Sequence, residues 1–224
     1  MKNEHGKKIL LLLILVLFSN TVSAQKTNKQ MLVSTDWLAK NLSKVVVLHV
    51  AARKETYDAG HIPNALFLSY GDITTTRDGV PNELASVENL TKVFTNLGVG
   101  NSRKIVLYGD LNGLMAARAF FTLDYLGQSN RIAILDGGLE KWKAEKREVS
   151  TQNKTPSVEA FVPIVNAKSV ISLDTVRDVS WSVVKQNPSN FALIDARPKE
   201  EYTGGKAGDG VGRAGHIPGA ASVF

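Results

Sequence analysis

Tyr57-Asp58-Ala59-Gly60-His61-Ile62-Pro63-Asn64-Ala65 has a near copy later in the chain, where Tyr202 is followed by Ala214-Gly215-His216-Ile217-Pro218-Gly219-Ala220. A spaced set of residues that recurs in one order marks a duplicated unit. The second copy carries an insertion rich in Gly and Lys, Thr203–Arg213, between its Tyr and its Gly-His-Ile-Pro. The copies also differ in what comes after them. A long stretch runs from Pro63 to Val149, whereas Phe224 lies close behind Pro218. The sequence therefore predicts two related units, the second cut short inside its domain.

Working outward, Val45-Val46-Val47-Leu48-His49-Val50 is a β-branched run that reads as a strand buried on both faces. Ala65–Leu68, Ile105–Tyr108 and Ile132–Leu135 read the same way. Between them, Val87–Leu97 and Leu114–Leu126 have helical spacing, each closed by a glycine, Gly98 and Gly127. Residues 71–86 are polar and turn-rich. A short helix is expected after Val33, capped by Thr35 or Asp36 with Trp37 on its buried side. Alternation of strands and helices predicts an α/β class, each unit a parallel sheet flanked by helices. Ligands in such folds sit at the carboxyl ends of the strands, which places Gly109-Asp110-Leu111-Asn112-Gly113 at a site position.

The boundaries follow from composition. Residues 1–24 combine Lys2, Lys7 and Lys8 with the apolar run Ile9–Phe18 and small residues ending at Ala24, the layout of a cleaved secretory leader. The run is too short to span a bilayer, so membrane contact is expected only in transit, and the protein is expected in the periplasm or cell envelope. Residues 25–149 form the first unit, 150–175 a Ser-, Thr-, Asn- and Pro-bearing linker, and 176–224 the beginning of the second unit. The net charge of +6 is spread without a basic stripe interleaved with aromatics, which gives nucleic-acid binding no footing. It is compatible with attracting small anions. The chain has no cysteine, so it has neither disulfides nor thiol chemistry of its own. Its four histidines, His5, His49, His61 and His216, lack metal-ligand spacing, and no metal or cofactor is expected.

Three motifs together resemble the rhodanese family, in particular the two-domain thiosulfate sulfurtransferases: Val33-Ser34-Thr35-Asp36-Trp37-Leu38, the paired His-Ile-Pro turns, and Leu135-Asp136-Gly137-Gly138 followed by Trp142. The resemblance implies tandem rhodanese-like domains, of which the carboxyl-terminal one is usually catalytic. It implies a cysteine at the start of a loop after the strand equivalent to Ile105–Tyr108. That thiolate takes sulfur from a small anionic donor such as thiosulfate, forms a persulfide, and passes the sulfur to a thiol or cyanide. Gly109 stands at the nucleophile's position in the first unit, with Asp110 next to it, so the first unit is expected to be silent. The corresponding loop of the second unit falls beyond Phe224, and the chain alone should be inactive.

The resemblance also suggests Asp195 and Arg197, at the end of the strand Phe191–Ile194, as residues bordering a substrate site, with an internal ion pair as the plain alternative. The first unit has Val50 and Ala52 there instead. An arginine that some members carry just before the Tyr is Glu201 here, which leaves Arg213 or Lys206 of the insertion to supply the cation. His61 and His216 are expected to be structural, as imidazoles satisfying buried backbone groups in a tight turn. Trp37, Trp142 and Trp181 are expected in cores. Two other functions compete with sulfur transfer: a non-catalytic rhodanese-like binding or scaffold protein, and a phosphatase on a similar fold.

Overall fold

The computed structural model describes residues 31–185, 191–208 and 211–223; residues 1–24, expected to be a leader, lie outside the described residues. Strand β1 (Leu32–Val33) leads into helix α1 (Thr35–Asn41), then β2 (Val46–Ala51), α2 (Lys54–Asp58) and β3 (Leu66–Ser69). A 3₁₀ turn (Tyr70–Ile73) leads to β4 (Thr74–Arg77) and β5 (Val80–Leu84), followed by α3 (Val87–Asn96), β6 (Ile105–Gly109), α4 (Leu114–Tyr125), β7 (Ile132–Leu135) and α5 (Gly138–Ala144). The main sheet has the order β1-β7-β6-β2-β3, parallel throughout. This is the α/β architecture that the alternating pattern predicts.

Both faces of the sheet are covered, which is why its strands read as unbroken apolar runs. Val46, Leu48 and Val50 point into a cluster with Leu90 and Phe94 of α3 and Leu123 of α4. Val45 and Val47 point the other way, with Leu38 of α1, Tyr57 of α2 and Trp142 of α5. Truncating a residue such as Phe94 or Trp142 to alanine costs about 3–5 kcal/mol. Ser34 caps α1, its Oγ accepting the Trp37 N–H at 3.1 Å. The expected cap, Thr35, is instead buried and donates its hydroxyl to Glu145 Oε2 at 2.6 Å. Trp37 is half-buried, and the buried residue of its turn is Leu38. The polar segment 71–86 contains the antiparallel hairpin β4–β5, closed by Asp78 and Gly79, both at positive φ.

After Ser150, the chain runs as an extended strap along the first unit. Phe161 is buried against Phe94, with ring centroids 5.2 Å apart. Asn101 clasps the Val162 backbone through two 2.8 Å bonds, and the Ile164 and Asn166 N–H groups donate to the last carbonyls of α4. Gly98 and Gly127, both at positive φ, lie so close to the Ser157 and Ile164 carbonyls that a Cβ at either would collide with the strap.

The second unit comprises α6 (Leu173–Val184), β8 (Ile194–Asp195), α7 (Lys199–Thr203) and β9 (Ala221–Ser222), with β8 and β9 paired in parallel. Trp181 was expected in a core, but it is 58% exposed. No helix of the described residues is long and apolar enough to cross a membrane.

Candidate functional site

Both Gly-His-Ile-Pro turns are built alike. In the first, the Tyr57 hydroxyl donates to Ala65 O at 2.8 Å, His61 stacks on the Tyr57 ring with centroids 3.7 Å apart, and His61 Nδ1 donates to Tyr57 O at 2.8 Å. In the second, Tyr202 donates to Ala220 O at 2.9 Å, His216 stacks at 3.8 Å, and His216 Nδ1 donates to Tyr202 O at 2.8 Å. The ring therefore ties the helix end to the turn in each unit.

The turns differ in their surroundings. His61 is fully buried, with Nε2 3.1 Å from Gln152 O and its backbone bridged both ways to Ser150. His216 is exposed.

In the second unit the candidate residues converge. Asp195, Arg197, Arg213 and His216 line one cleft of about 780 Å³, together with Leu193 and Val211. Asp195 ends β8, and its carboxylate receives the Arg197 guanidinium bidentately, Nε at 3.0 Å and Nη2 at 2.6 Å, plus the Arg197 backbone N–H at 3.0 Å. These charge-assisted bonds hold the Asp195 carboxyl down at about 2. The second Nη2 contact of Arg197 is Gly215 O at 2.8 Å, which pins the His216 turn to the end of β8. Arg197 is thus engaged on both sides. Arg213 has no ion-pair partner among the described residues and is the free cation of the cleft.

The equivalent position of the first unit lies inside a strand. Gly109 is the last residue of β6, paired with Val50, so the loop proper starts at Asp110. A Cβ on Gly109 would run into the Val50 carbonyl oxygen. A side chain has no room there.

One pair escaped the sequence reading. His49, 1% exposed in the middle of β2, places Nε2 3.3 Å from Asp110 Oδ1 and stacks on Tyr108 with centroids 4.6 Å apart. Burial lowers the His49 pKa, against the opposing pull of the Asp110 bond and charge. Its Nδ1 has no hydrogen-bond partner. The one available signal was a histidine inside an otherwise aliphatic strand. Tyr108 is buried too, and burial pushes its phenol well up; its oxygen accepts the Ile62 N–H at 3.1 Å. Among the described residues no group of His, Cys, Asp and Glu could hold a metal ion.

Residues 34–145 match the rhodanese-like domain family. The chain is 34% identical over 203 residues to the sulfur carrier protein TtuD of Thermus thermophilus, covering 87% of this chain and 69% of that protein. The structure is similar to that of SseA from Escherichia coli, a 3-mercaptopyruvate sulfotransferase of rhodanese fold. The TM-score is 0.72 at 25% identity, over 87% of this chain and 74% of that one. It also resembles YnjE, with a TM-score of 0.72 at 20% identity over 86% and 47% of the respective chains, a likeness of fold alone.

Proposed function

The chain belongs to the rhodanese family, and from that we infer that it is part of an exported sulfurtransferase with a silent first domain. The small donor is a sulfane-sulfur anion such as thiosulfate, and the acceptor a thiol or cyanide. Sulfur rides on a cysteine persulfide carried beyond residue 224, because none of the 224 residues is a cysteine. The observation that carries this reading is the cleft where Asp195, Arg197 and Arg213 meet at the carboxyl end of β8, the place where an α/β sheet presents its ligand site.

The residues of this chain have separable tasks in that chemistry. The Asp195–Arg197 clamp fixes the His216 turn at the cleft wall. Arg213 supplies an unpaired positive charge to draw the anion in. The leader-like residues 1–24 support reading the protein as exported to the periplasm or cell envelope. A second reading, a non-catalytic binding or scaffold protein, draws on the lack of room for a side chain at Gly109.

The deciding assay is thiosulfate-to-cyanide sulfur transfer, run on this chain and on the longer product of the same reading frame. Activity confined to the longer product is the expected result. Silence in a folded longer product would favour the scaffold reading.

A further inference from the structure

Two histidines flank the Tyr57 ring inside the first unit, and their hydrogen-bond surroundings are opposite. His49, on β2, bonds Asp110 through Nε2 and leaves Nδ1 without a partner, which suits a neutral ring. His61 has an acceptor at each ring nitrogen. Its Nδ1 lies 2.8 Å from Tyr57 O, and its Nε2 lies 3.1 Å from Gln152 O. A backbone carbonyl can only accept, so both bonds exist together only when both nitrogens carry hydrogen. The ring that does so is the imidazolium.

The stacking points the same way. The His61 and Tyr57 rings lie 5° from parallel with centroids 3.7 Å apart. Neutral aromatic rings favour offset or edge-on contacts at longer range, whereas a cation is drawn onto the negative π face. His61 is fully buried, and a charge in such a place is sustained only where its polar atoms are bonded. Those bonds end on two different parts of the chain. Tyr57 O belongs to α2, while Gln152 O belongs to the start of the strap, which Ser150 also ties to the His61 backbone at 2.9 Å and 2.8 Å.

We propose that His61 is a buried imidazolium whose proton clasps the strap to the first unit. Loss of that proton leaves a lone pair on one ring nitrogen facing a carbonyl oxygen. The bond to Tyr57 is local to the turn, so the contact that yields is the one to Gln152, with the Ser150 bridge beside it. The clasp is therefore closed on the acid side and opens as pH rises. Opening frees the start of the segment that joins the two units. The titratable groups around His61 come from three elements. From α2 they are Tyr57 and Asp58, the latter paired with Lys54; from β2, His49 behind the Tyr57 ring; and from β6, Tyr108, whose hydroxyl takes the Ile62 N–H.

The test follows the isotopically labelled 224-residue chain by NMR as the pH is raised from the acid side. It reads the His61 ring nitrogens and the exchange protection of the Ser150 amide, which donates to His61 O, in the same samples. The expected result is two ring N–H groups at the acid end and one beyond the transition. At the same midpoint, Ser150 protection, corrected for intrinsic exchange, should fall at least about tenfold. His61→Phe keeps a ring on Tyr57 and removes both donors, so Ser150 should be weakly protected at every pH. A single ring N–H with Ser150 still protected, or protection lost while both ring N–H groups remain, overturns the proposal. The titration of the unaltered chain decides by itself, so a variant that fails to fold does not blunt the test.

Discussion

Gly109→Cys puts a thiol where the silent unit lacks one, and the backbone around it dictates the result. The new Cβ would overlap the Val50 carbonyl oxygen and sit 3.2 Å from the Ala116 nitrogen. Val50 O is already committed to the Asp110 N–H at 3.2 Å, and Val50 pairs with Gly109 across the β2–β6 ladder. Room for the side chain therefore requires the end of β2 to move off β6. Overpacking of this kind costs about 1–3 kcal/mol and the lost bond about 1 kcal/mol more, a total of roughly 2–4 kcal/mol. At about 4 °C per kcal/mol, the first unit should melt roughly 8–16 °C lower. The assay pairs a near-ultraviolet circular dichroism melt with cold cyanolysis for bound sulfur after exposure to thiosulfate. A variant that melts within about 2 °C of the parent and holds an equivalent of cyanolysable sulfur would refute the steric argument.

Tyr108→Phe should destabilise the first unit by about 1–3 kcal/mol in denaturant titrations, because it strands the buried Ile62 N–H. Asp195, held at about 2 by Arg197, should titrate there by carboxyl NMR and move up in Arg197→Ala. Its depressed value means the clamp's stabilisation is present above the ordinary carboxylate range, near pH 4, and is lost as pH falls toward 2. The lowered His49 pKa likewise gives stability that is present above its ordinary value near 6.5 and lost on acidification. Asp110→Asn should lower the His49 pKa further in an imidazole NMR titration, since Asp110 is the group that raises it. Gly127→Ala, at φ 80° and against the Ile164 carbonyl, should release the strap and speed tryptic cleavage at Lys168 by severalfold.

The parallel sheet was readable because each strand is buried on both faces and so is apolar throughout, as in Val45–Val50 and Ile105–Tyr108. The paired His turns were readable because the same residues, Tyr and Gly-His-Ile-Pro, recur in the same order in both copies. Features resting on distant partners were not. Thr35 could be ruled out as a cap only by seeing Glu145 beside it. The strap looked like a plain linker because its anchors, Asn101 and the end of α4, lie far back in sequence. The β4–β5 hairpin did leave a mark, the turn pair Asp78-Gly79, but its threonine-rich strand hid the apolar alternation that usually accompanies one. Trp181 was misplaced because local spacing gives the face of a helix and not whether anything covers it. Convergence of Asp195, Arg197 and Arg213 was half visible: the first two are two positions apart, while Arg213 arrives through the insertion.

The strap gives the molecule a mechanical direction. Tension applied through the second unit reaches the first at Ser169, whose hydroxyl bonds Asp124, and then passes to Asn166 on Tyr125 and Ile164 on Leu126. Because these bonds lie in series along an extended chain, a pulling force loads them one at a time, peeling the strap as a zipper opens. The parallel ladder between β2 and β6 would be loaded only after Ser150 has left His61. In a single-molecule stretching record, the strap should appear as a run of small low-force extensions ahead of one abrupt high-force rupture of the sheet.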